Sequence, residues 1–471
     1  MQKLLWSLLL ASILTICFGI PNERCFTGFK PQGIYVSSTT GDDTNNGLSP
    51  QCPVKTIKKA KSLGDTILLK AGDYFFEGEL KITKTYLSRY GEGSNPTICG
   101  YKRIVNPNWV EVERNIWKLS LIDDNFSGIV IAGPSLSNNI CAFHDYENDM
   151  IHGRKVWHKE EMISDWDFWQ TEVLKNADPE DYNYVYLYLS SDPNQKQLEL
   201  SIYDCALTVF SSTIDGINIE GFGFGISAYS NTTVRNCKLD AIGGRIIPEN
   251  HSYNCYGNGI EFYVDQNNIE NCVVEDCYIS RCYDCGITIQ GKSGTKQIAR
   301  NIQIRNNLIT KCCQGWEDFL RNHKPYEDCS FSDNIIIHSG DKTGFGYKAS
   351  RFKYCHVLGN NTTDNKGMII KNNVFADGNF YCSNPCNNEY RSNIWIGNKC
   401  YIECGSFLLG SYEGTRDVLR VADSRKKTSS AIKQYRELTG DNSTRFIVCS
   451  KKRVMAEAGR LERSFLKKHK Y

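Results

Sequence analysis

A short alternation of apolar and polar positions recurs through residues 207–404 of the sequence. Each copy has an apolar residue, two variable residues, Asn or Cys, one variable residue and a second apolar residue. Six copies, VRNCKL, VEDCYI, IRNNLI, FSDNII, IKNNVF and YRSNIW, begin at Val234, Val274, Ile304, Phe331, Ile370 and Tyr390, and VLGNNT from Val357 is a weaker copy. The first four begin 40, 30 and 27 residues apart. Repeats of this length, built of short strands and turns without helical periodicity, indicate a solenoid of stacked coils.

A second, glycine-led strand lies between the copies. It reads GNGIEF from Gly257, CGITIQ from Cys285, QGWEDF from Gln314 and TGFGYK from Thr343. Stacking would align the apolar side chains as internal ladders, and it would place each Asn or Cys of the signature on its copy one coil away. The sequence therefore predicts an all-β fold, a right-handed parallel β-helix.

The segment from Gly33 to Phe76 predicts how the solenoid begins. IYVS is a predicted strand, GDDTNNG a loop, TIKKAKSL a short amphipathic helix, and DTILLKAGDYFF a strand, a turn and a strand. A helix at this point would cover the open end of the first coil. We interpret Asp42, Asp43 and Asn45 as a structural turn in preference to a calcium site.

Residues 103–203 interrupt the repeat and are rich in tryptophan. YNYVYLYLSSDPN, from Tyr182 to Asn194, alternates like a half-buried antiparallel strand that ends in a turn. We predict a small β insertion whose Trp residues form a core in preference to a sugar-binding wall. Beyond Cys404 the pattern predicts a helix from Asp417 to Thr439. A basic amphipathic tail follows, which we interpret as a capping helix, with adhesion to an acidic polysaccharide as the alternative.

These motifs resemble the secreted β-helix polysaccharide-degrading enzymes of the pectate-lyase-like superfamily. The resemblance rests on the order of strand, Gly-Asp loop, TIKKA helix and GDTILLKAGDY turn at the start of the chain. YRELTGDNS near the end resembles the element that follows the last coil in those enzymes. The resemblance implies an extracellular protein that acts on carbohydrate, and it leaves the reaction open.

The N-terminus and the cysteines agree with that implication. Lys3 precedes an apolar run from Leu4 to Ile16, which predicts a signal peptide cleaved after Gly19 and too short to span a membrane. Of 21 Cys, 20 remain after cleavage, and Cys382/Cys386, Cys400/Cys404 and Cys282/Cys285 could form small bridges. Zinc is the competing interpretation for the closely spaced pairs, and Cys237 and Cys277 could instead be buried, stacked thiols. Asn-x-Ser/Thr sequons predict a glycoprotein in a eukaryotic host.

Alignment of the glycine-led strands predicts a file of outward side chains. Ile260, Ile287, Trp316 and Tyr347 should point inward, so the residues after them, Glu261, Thr288, Glu317 and Lys348, should point outward. Glu261 and Glu317, two coils apart, would be separated by roughly 9 to 10 Å, near the spacing of about 6.5 to 9.5 Å that an inverting glycosidase needs. A retaining pair, at about 5 Å, would need Asp284 or Asp318 as the partner of Glu317.

Elimination is the second enzymatic alternative. Thr343 to Asn361 resembles the stretch of family-9 pectate lyases that carries the lysine base, which implies Lys348 in that role with an extra residue before it. Arg351 and His356 are nearby helpers in either scheme. Cys285, Cys312 and Cys313 stand where that family has calcium-binding aspartates, so we do not transfer its calcium site, although a lyase could use Ca²⁺. Hydrolysis itself requires no cofactor.

The net charge and the apolar content of the chain limit the classes of partner that the protein could bind. The formal charge of +2 predicts neither nucleic-acid steering nor an acidic tail, and no stretch after the signal peptide is long enough to span a membrane. We therefore expect a secreted monomer that cleaves a polysaccharide through Glu261 and Glu317, with Asp284, Lys348 and Arg351 lining the groove. A non-catalytic glycan-binding or structural β-helix is the alternative. The predicted organisation is a signal peptide (1–19), cap and first coils (20–102), β insertion (103–203), main β-helix (204–404), and C-terminal helical cap with basic tail (405–471).

Overall fold

The structure is a computed structural model. It describes residues 33–75, 80–104, 107–121, 140–148, 150–156, 159–170, 184–249, 252–264, 267–291, 297–320, 326–340, 355–358, 368–378, 380–383, 388–397, 400–404, 417–421, 432–433, 435–437 and 439–471. The predicted signal peptide, the predicted lyase base Lys348 and the predicted groove residue Arg351 lie outside these residues. None of the helices in the described part has the length and apolarity to cross a bilayer.

Three sheets of ten strands each form the solenoid in the described residues. Sheet 1 comprises Ile34–Val36, Thr66–Lys70, Tyr86–Tyr90, Thr213–Asp215, Thr233–Arg235, Ile269–Glu275, Ala299–Arg305, Cys329–Ser332, Met368–Lys371 and Glu389–Arg391. Sheet 2 comprises Asp73–Phe75, Thr97–Cys99, Asn218–Glu220, Lys238–Ile242, Tyr278–Cys282, Leu308–Thr310, Ile335–Ile337, Val374–Ala376, Ile394–Gly397 and Arg445–Val448. Sheet 3 comprises Leu80–Thr83, Cys205–Phe210, Phe224–Ala228, Ile260–Val264, Cys285–Gly291, Gln314–Leu320, Cys355–Leu358, Phe380–Ser383, Cys400–Cys404 and Asp417–Val421.

The signature is the corner between sheets 1 and 2. Its first apolar residue belongs to sheet 1, where Val234 pairs with Val274, Val274 with Ile304, and Ile304 with Phe331. Its third residue takes a left-handed conformation, with φ of 53–58° at Asn236, Asp276, Asn306, Asp333, Asn372 and Ser392. Asn and Asp tolerate this conformation better than other non-glycine residues, which explains their presence at the corner.

The fourth residue of the signature forms the predicted ladder. The Asn334 Nδ2 group donates to the Ile304 carbonyl at 3.1 Å and to Asn373 Oδ1 at 3.1 Å, and Asn307 and Asn373 repeat both bonds on their own coils. At the end of the ladder Thr444 Oγ1 accepts from the backbone N–H of Asn393. Because these amides are fully buried, the ladder satisfies backbone groups that the turn leaves without a sheet partner.

Cysteines continue the ladder as thiols. Cys237 and Cys277 are buried, and each Sγ lies 3.7 Å from a backbone carbonyl of the preceding coil. Both are free of disulfides, so the prediction of stacked thiols is confirmed. The predicted Cys282/Cys285 bridge is wrong, since both are free and buried.

The other two predicted bridges have different outcomes. Cys400 and Cys404 are the first and last residues of one strand, about 13 Å apart at ~3.3 Å per residue, which exceeds the roughly 7 Å reach of a disulfide. The predicted bridge between them is therefore wrong. Cys386 lies outside the described residues, so the Cys382/Cys386 bridge stays a prediction.

Helix α1 (Ile57–Leu63) covers the start of the solenoid. The Thr56 hydroxyl accepts a hydrogen bond from the Lys59 N–H as the N-cap, and Ile57 and Ala60 are buried in the core of the solenoid. Asp43 binds the N–H groups of Lys55 and Thr56 through Oδ1, so its role in the loop is structural.

The insertion consists of two further sheets. One contains Tyr101–Arg103, Ala142–Asp145, Met150–His152 and Leu198–Ser201, and the other contains Val110–Glu113, Ile116–Ser120, Arg154–Lys155, Asp167–Gln170 and Tyr184–Tyr188. Single 3₁₀ turns occupy Lys159–Glu161 and Pro193–Gln195, and Arg245–Glu249 pairs with Ser252–Tyr256 as a separate hairpin. The predicted antiparallel strand is present, and Trp109, Trp117 and Trp166 belong to or pack against the insertion's core.

Two predictions at the C-terminal end are wrong. Val357 belongs to sheet 3, where it pairs with Trp316, so VLGNNT is not a copy of the signature. The predicted helix from Asp417 to Thr439 is wrong at its start, where Asp417–Val421 is a strand antiparallel to Cys400–Cys404 whose backbone covers the last open edge of sheet 3. Residues 432–433, 435–437 and 439 of the predicted helix are helical. Helix α2 (Lys451–Lys468) is present as predicted, and it lies along the outer face of sheet 2.

Candidate functional site

The chain is a right-handed parallel β-helix. One column of polar side chains follows the outer face of its sheet 3. Ser227 pairs with Glu261, Glu261 with Thr288, and Thr288 with Glu317. The residues before them, including Ile260, Ile287 and Trp316, lie in the core, so the predicted inward and outward assignments are confirmed for these three strands. Two coils of ~4.8 Å separate the Cα atoms of Glu261 and Glu317 by roughly 9.6 Å.

Glu317 is held in one orientation by its neighbours. Thr288 Oγ1 donates to Glu317 Oε2 at 3.0 Å, and Gln290 Nε2 donates to the same oxygen at 2.9 Å. Thr288 is fully buried and Glu317 is only 6% exposed, so little solvent reaches the carboxylate. A shielded carboxylate with a fixed orientation has the properties of a base that acts on a bound molecule.

Glu261 has a different environment. Asn258 Nδ2 donates to Glu261 Oε2 at 2.6 Å, while Asn258 Oδ1 accepts from the Cys285 N–H at 3.3 Å and so orients the amide. Burial raises the pKa of Glu261, the negative charge of Asp284 raises it further, and the bond from Asn258 opposes both effects. Two carboxylates in contrasting environments are the arrangement by which glycosidases separate an acid from a base.

Asp284 and Asp318 differ in position. Asp284 is buried beside the column, where its charge acts on Glu261. Burial raises the pKa of the neighbouring Cys285 thiol, and the charges of Glu317 and Asp284 raise it further. Asp318 pairs with Ile289, which is a core residue, so its side chain points into the solenoid. There it accepts hydrogen bonds from the Tyr326 hydroxyl and the Asn388 amide. The prediction that Asp318 could be the partner of Glu317 in a retaining pair is therefore wrong.

The predicted continuation of the column beyond Glu317 is not observed. Leu358 pairs with Glu317, so the strand Cys355–Leu358 occupies the place that the sequence alignment assigned to Lys348. Lys348 and Arg351 lie outside the described residues, and His356 is described only as part of this strand's backbone. Their roles stay predictions.

An aromatic column that the sequence analysis missed runs beside the first part of the polar column, as far as Glu261. Phe210 and Tyr229 stack with ring centroids 4.2 Å apart, and Tyr263 lies one residue beyond the Phe262 that pairs with Ala228. Lys81 Nζ lies 5.0 Å from the Phe210 ring centroid. Phe210, Tyr229 and Tyr263 lie two residues beyond the polar column, about 7 Å along the strands. The sequence contains a sign of this column, since an aromatic residue stands two positions after Ser227 (Tyr229) and two positions after Glu261 (Tyr263).

Within the described residues, no group of three or more His, Cys, Asp or Glu side chains is placed to hold a metal ion. The carboxylates of the column instead accept hydrogen bonds from Asn, Thr and Gln side chains. The Ca²⁺ of the lyase alternative stays a prediction.

Comparison with known proteins found distant structural similarity. No family model matches the chain, and no curated protein matches it. A structure of XylC with xylose is 16% identical, with a TM-score of 0.44, over 79% of this chain and 64% of that one. A glycoside hydrolase is 10% identical, with a TM-score of 0.40, over 79% and 94% of the two chains. A GH136 lacto-N-biosidase from Eubacterium ramulus is 12% identical, with a TM-score of 0.34, over 89% and 68%.

This chain therefore spans less than two thirds of the length of the XylC protein. None of the three reaches a TM-score of 0.5, so these similarities do not indicate an activity.

Proposed function

We propose that the protein is a glycan-cleaving enzyme that hydrolyses a polysaccharide lying along sheet 3, with Glu261 as general acid and Glu317 as general base. The observation that carries this proposal is the column Glu261–Thr288–Glu317, in which both carboxylates point outward from strands two coils apart. Their separation of roughly 9.6 Å at the Cα atoms leaves room for the water that an inverting hydrolysis requires.

The two environments support the assignment of roles. A carboxyl group whose pKa is raised keeps its proton at higher pH, so Glu261 is suited to protonate the leaving oxygen. Glu317, oriented by Thr288 and Gln290, is suited to take a proton from water. The aromatic column beside Glu261 offers flat apolar surfaces of the kind that bind sugar rings.

The test is a screen of purified protein against neutral and acidic polysaccharides, with and without Ca²⁺. New reducing ends without an unsaturated, ultraviolet-absorbing product would indicate hydrolysis, and proton NMR of the first product would show inversion. In an active system, E261Q and E317Q should each lower kcat roughly a hundredfold to ten-thousandfold, the usual contribution of general acid–base catalysis. E389Q, at an exposed glutamate of sheet 1, is the matched control and should stay active.

Other outcomes would overturn the proposal. An unsaturated product would favour elimination and the alternative base Lys348. Full activity of folded E317Q would exclude the assigned pair. Binding without cleavage across the panel would favour the non-catalytic alternative.

A further inference from the structure

Helix α2 lies on a different face of the solenoid from the glutamate column. Val454, Ala458 and Phe465 are its buried residues, and Ala458 and Phe465 pack with the sheet 2 residues Leu308, Ile337, Ala376 and Ile396. The Tyr278 hydroxyl donates to Glu462, and the Tyr471 hydroxyl donates to the Asp276 carbonyl. Eighteen helical residues span about 27 Å, which matches the ~24 Å across the six strands from Tyr278–Cys282 to Arg445–Val448. The helix therefore runs along the axis of the solenoid.

The outer side of α2 is strongly basic. With about 100° of rotation per residue, the side chains opposite the buried face are those of Lys452, Arg453, Arg463 and Lys467, which we call the basic ridge. All four are exposed, and within the described part of the chain none of them forms an ion pair. From Lys451 to Tyr471 the chain carries eight basic and two acidic side chains, a net charge of +6, against +2 for the whole protein.

The two acidic residues of α2 are already engaged. Glu457 pairs with Arg460 at 2.8 Å, and Glu462 accepts the Tyr278 hydroxyl. The first turn contains Lys451, Lys452 and Arg453 and no acidic residue, a distribution opposed by the helix dipole. The Ser450 side chain caps this end by accepting a hydrogen bond from the Arg453 N–H, yet three basic side chains occupy the turn where the helix dipole disfavours them. A local arrangement of this kind is typical of a functional surface.

We propose that the basic ridge binds an acidic polysaccharide, a chain of uronate or sulfated sugars, at a site separate from sheet 3. Lys452 and Lys467 lie about 22 Å apart along the helix, so the ridge presents its charges as a straight file to a linear polyanion. The apolar side of α2 packs on sheet 2, so it is not free to enter a membrane. The ridge carries no aromatic side chain on which an unpaired base could stack. The choice of a polysaccharide among linear polyanions rests on the proposed function.

The test measures binding of the full chain to immobilised polygalacturonate and heparin at increasing salt concentration, with dextran as a neutral polymer. K452E/R463E/K467E should weaken binding at least ~tenfold and flatten its salt dependence, because fewer counterions are released. The matched control K55E/K58E/K70E reverses three exposed lysines near the start of the solenoid and should bind like the wild type. K452Q/R463Q/K467Q removes the charges without reversing them and keeps the test valid if the first variant unfolds.

Four results would overturn the inference. They are no binding of either acidic polymer, unchanged binding by both ridge variants, equal losses in the control, and tighter binding of duplex DNA or phosphatidylserine vesicles at the same salt concentration. E317Q separates this inference from the proposed function, since an inactive E317Q should bind as tightly as the wild type. Loss of the proposed catalytic activity would leave the ridge's binding measurable.

Discussion

Thr288 Oγ1 donates a hydrogen bond of 3.0 Å to Oε2 of Glu317, the residue that follows it by one coil in the column on sheet 3. Thr288 is fully buried, so water does not readily replace this bond. T288V keeps the shape of the side chain and removes the donor. We expect kcat to fall about tenfold with little change in KM, because the bond orients a group that acts in the reaction. T213V, at a partly buried threonine of sheet 1, is the control.

The raised pKa of Glu261 predicts the pH profile. If Glu261 is the acid, activity falls as pH rises through its pKa, so the descending limb should lie above the ordinary glutamic acid pKa of about 4.3. D284N removes a neighbouring negative charge and should move this limb to lower pH. A limb that does not move in D284N would contradict the assignment.

The same shift has a consequence for stability. The contribution of Glu261 to the free energy of unfolding is fully present below its unfolded pKa and is lost as pH rises through the raised folded pKa. E261Q should remove this pH-dependent loss. Denaturant unfolding of the wild type and of E261Q, at pH values below and above the pKa of Glu261, measures the free energy of unfolding of each protein.

The aromatic column should determine substrate affinity. Y229A and Y263A each remove one ring of the aromatic column, and aromatic contacts of about 0.5–1.5 kcal/mol predict an increase in KM of roughly twofold to tenfold. F75A removes an exposed phenylalanine of sheet 2 and should leave KM unchanged. A fall in kcat alone in both tyrosine variants would argue against a binding role.

The asparagine ladder should contribute strongly to stability. N334A leaves the Ile304 carbonyl and the Asn307 N–H without their partners inside the solenoid, which should lower the free energy of unfolding by about 1–3 kcal/mol. N442A, at an exposed asparagine, should change it by less than about 0.5 kcal/mol. Equal stability of the two variants would contradict a structural role for the ladder.

The buried thiols should resist modification. Burial raises the pKa of Cys272 to about 11 and that of Cys329 to about 12, so neither forms the reactive thiolate near neutral pH. Alkylation followed by peptide mapping should label exposed Cys52 in the native protein, and Cys272 and Cys329 after unfolding. Disulfide-linked Cys272 or Cys329 in the purified protein would contradict the structure.

The solenoid was predictable because its corner chemistry repeats. Each left-handed Asn, Asp or Ser and each buried Asn or Cys follows from a local backbone requirement, so the signature identified the turn in six coils. An earlier coil was missed because Ile217 replaces Asn or Cys, while Gly216 supplies the left-handed residue. The insertion separates the first coils from the later ones in sequence, so the spacing of the repeat does not extend to the first coils.

The site was predictable only where strands align without interruption. Glu261 and Glu317 follow glycine-led strands of similar sequence, so a period of two placed both outside. Beyond Glu317 the register depends on which later segment pairs with Gln314–Leu320, and that segment proved to be Cys355–Leu358. The inward Asp318 was unexpected because a buried charge is costly, and its bonds to Tyr326 and Asn388 join residues remote in sequence.

Helix α2 changes how the solenoid should unfold. In a stack where each coil contacts its neighbours, ends fray one coil at a time. Here helix α2 packs on strands from Leu308–Thr310 to Ile394–Gly397, and the Tyr278 hydroxyl donates a hydrogen bond to Glu462 of the helix. The coils beneath it cannot separate singly without releasing the helix as well. We expect hydrogen exchange to show this C-terminal half opening as one cooperative block, with the coils before it opening separately.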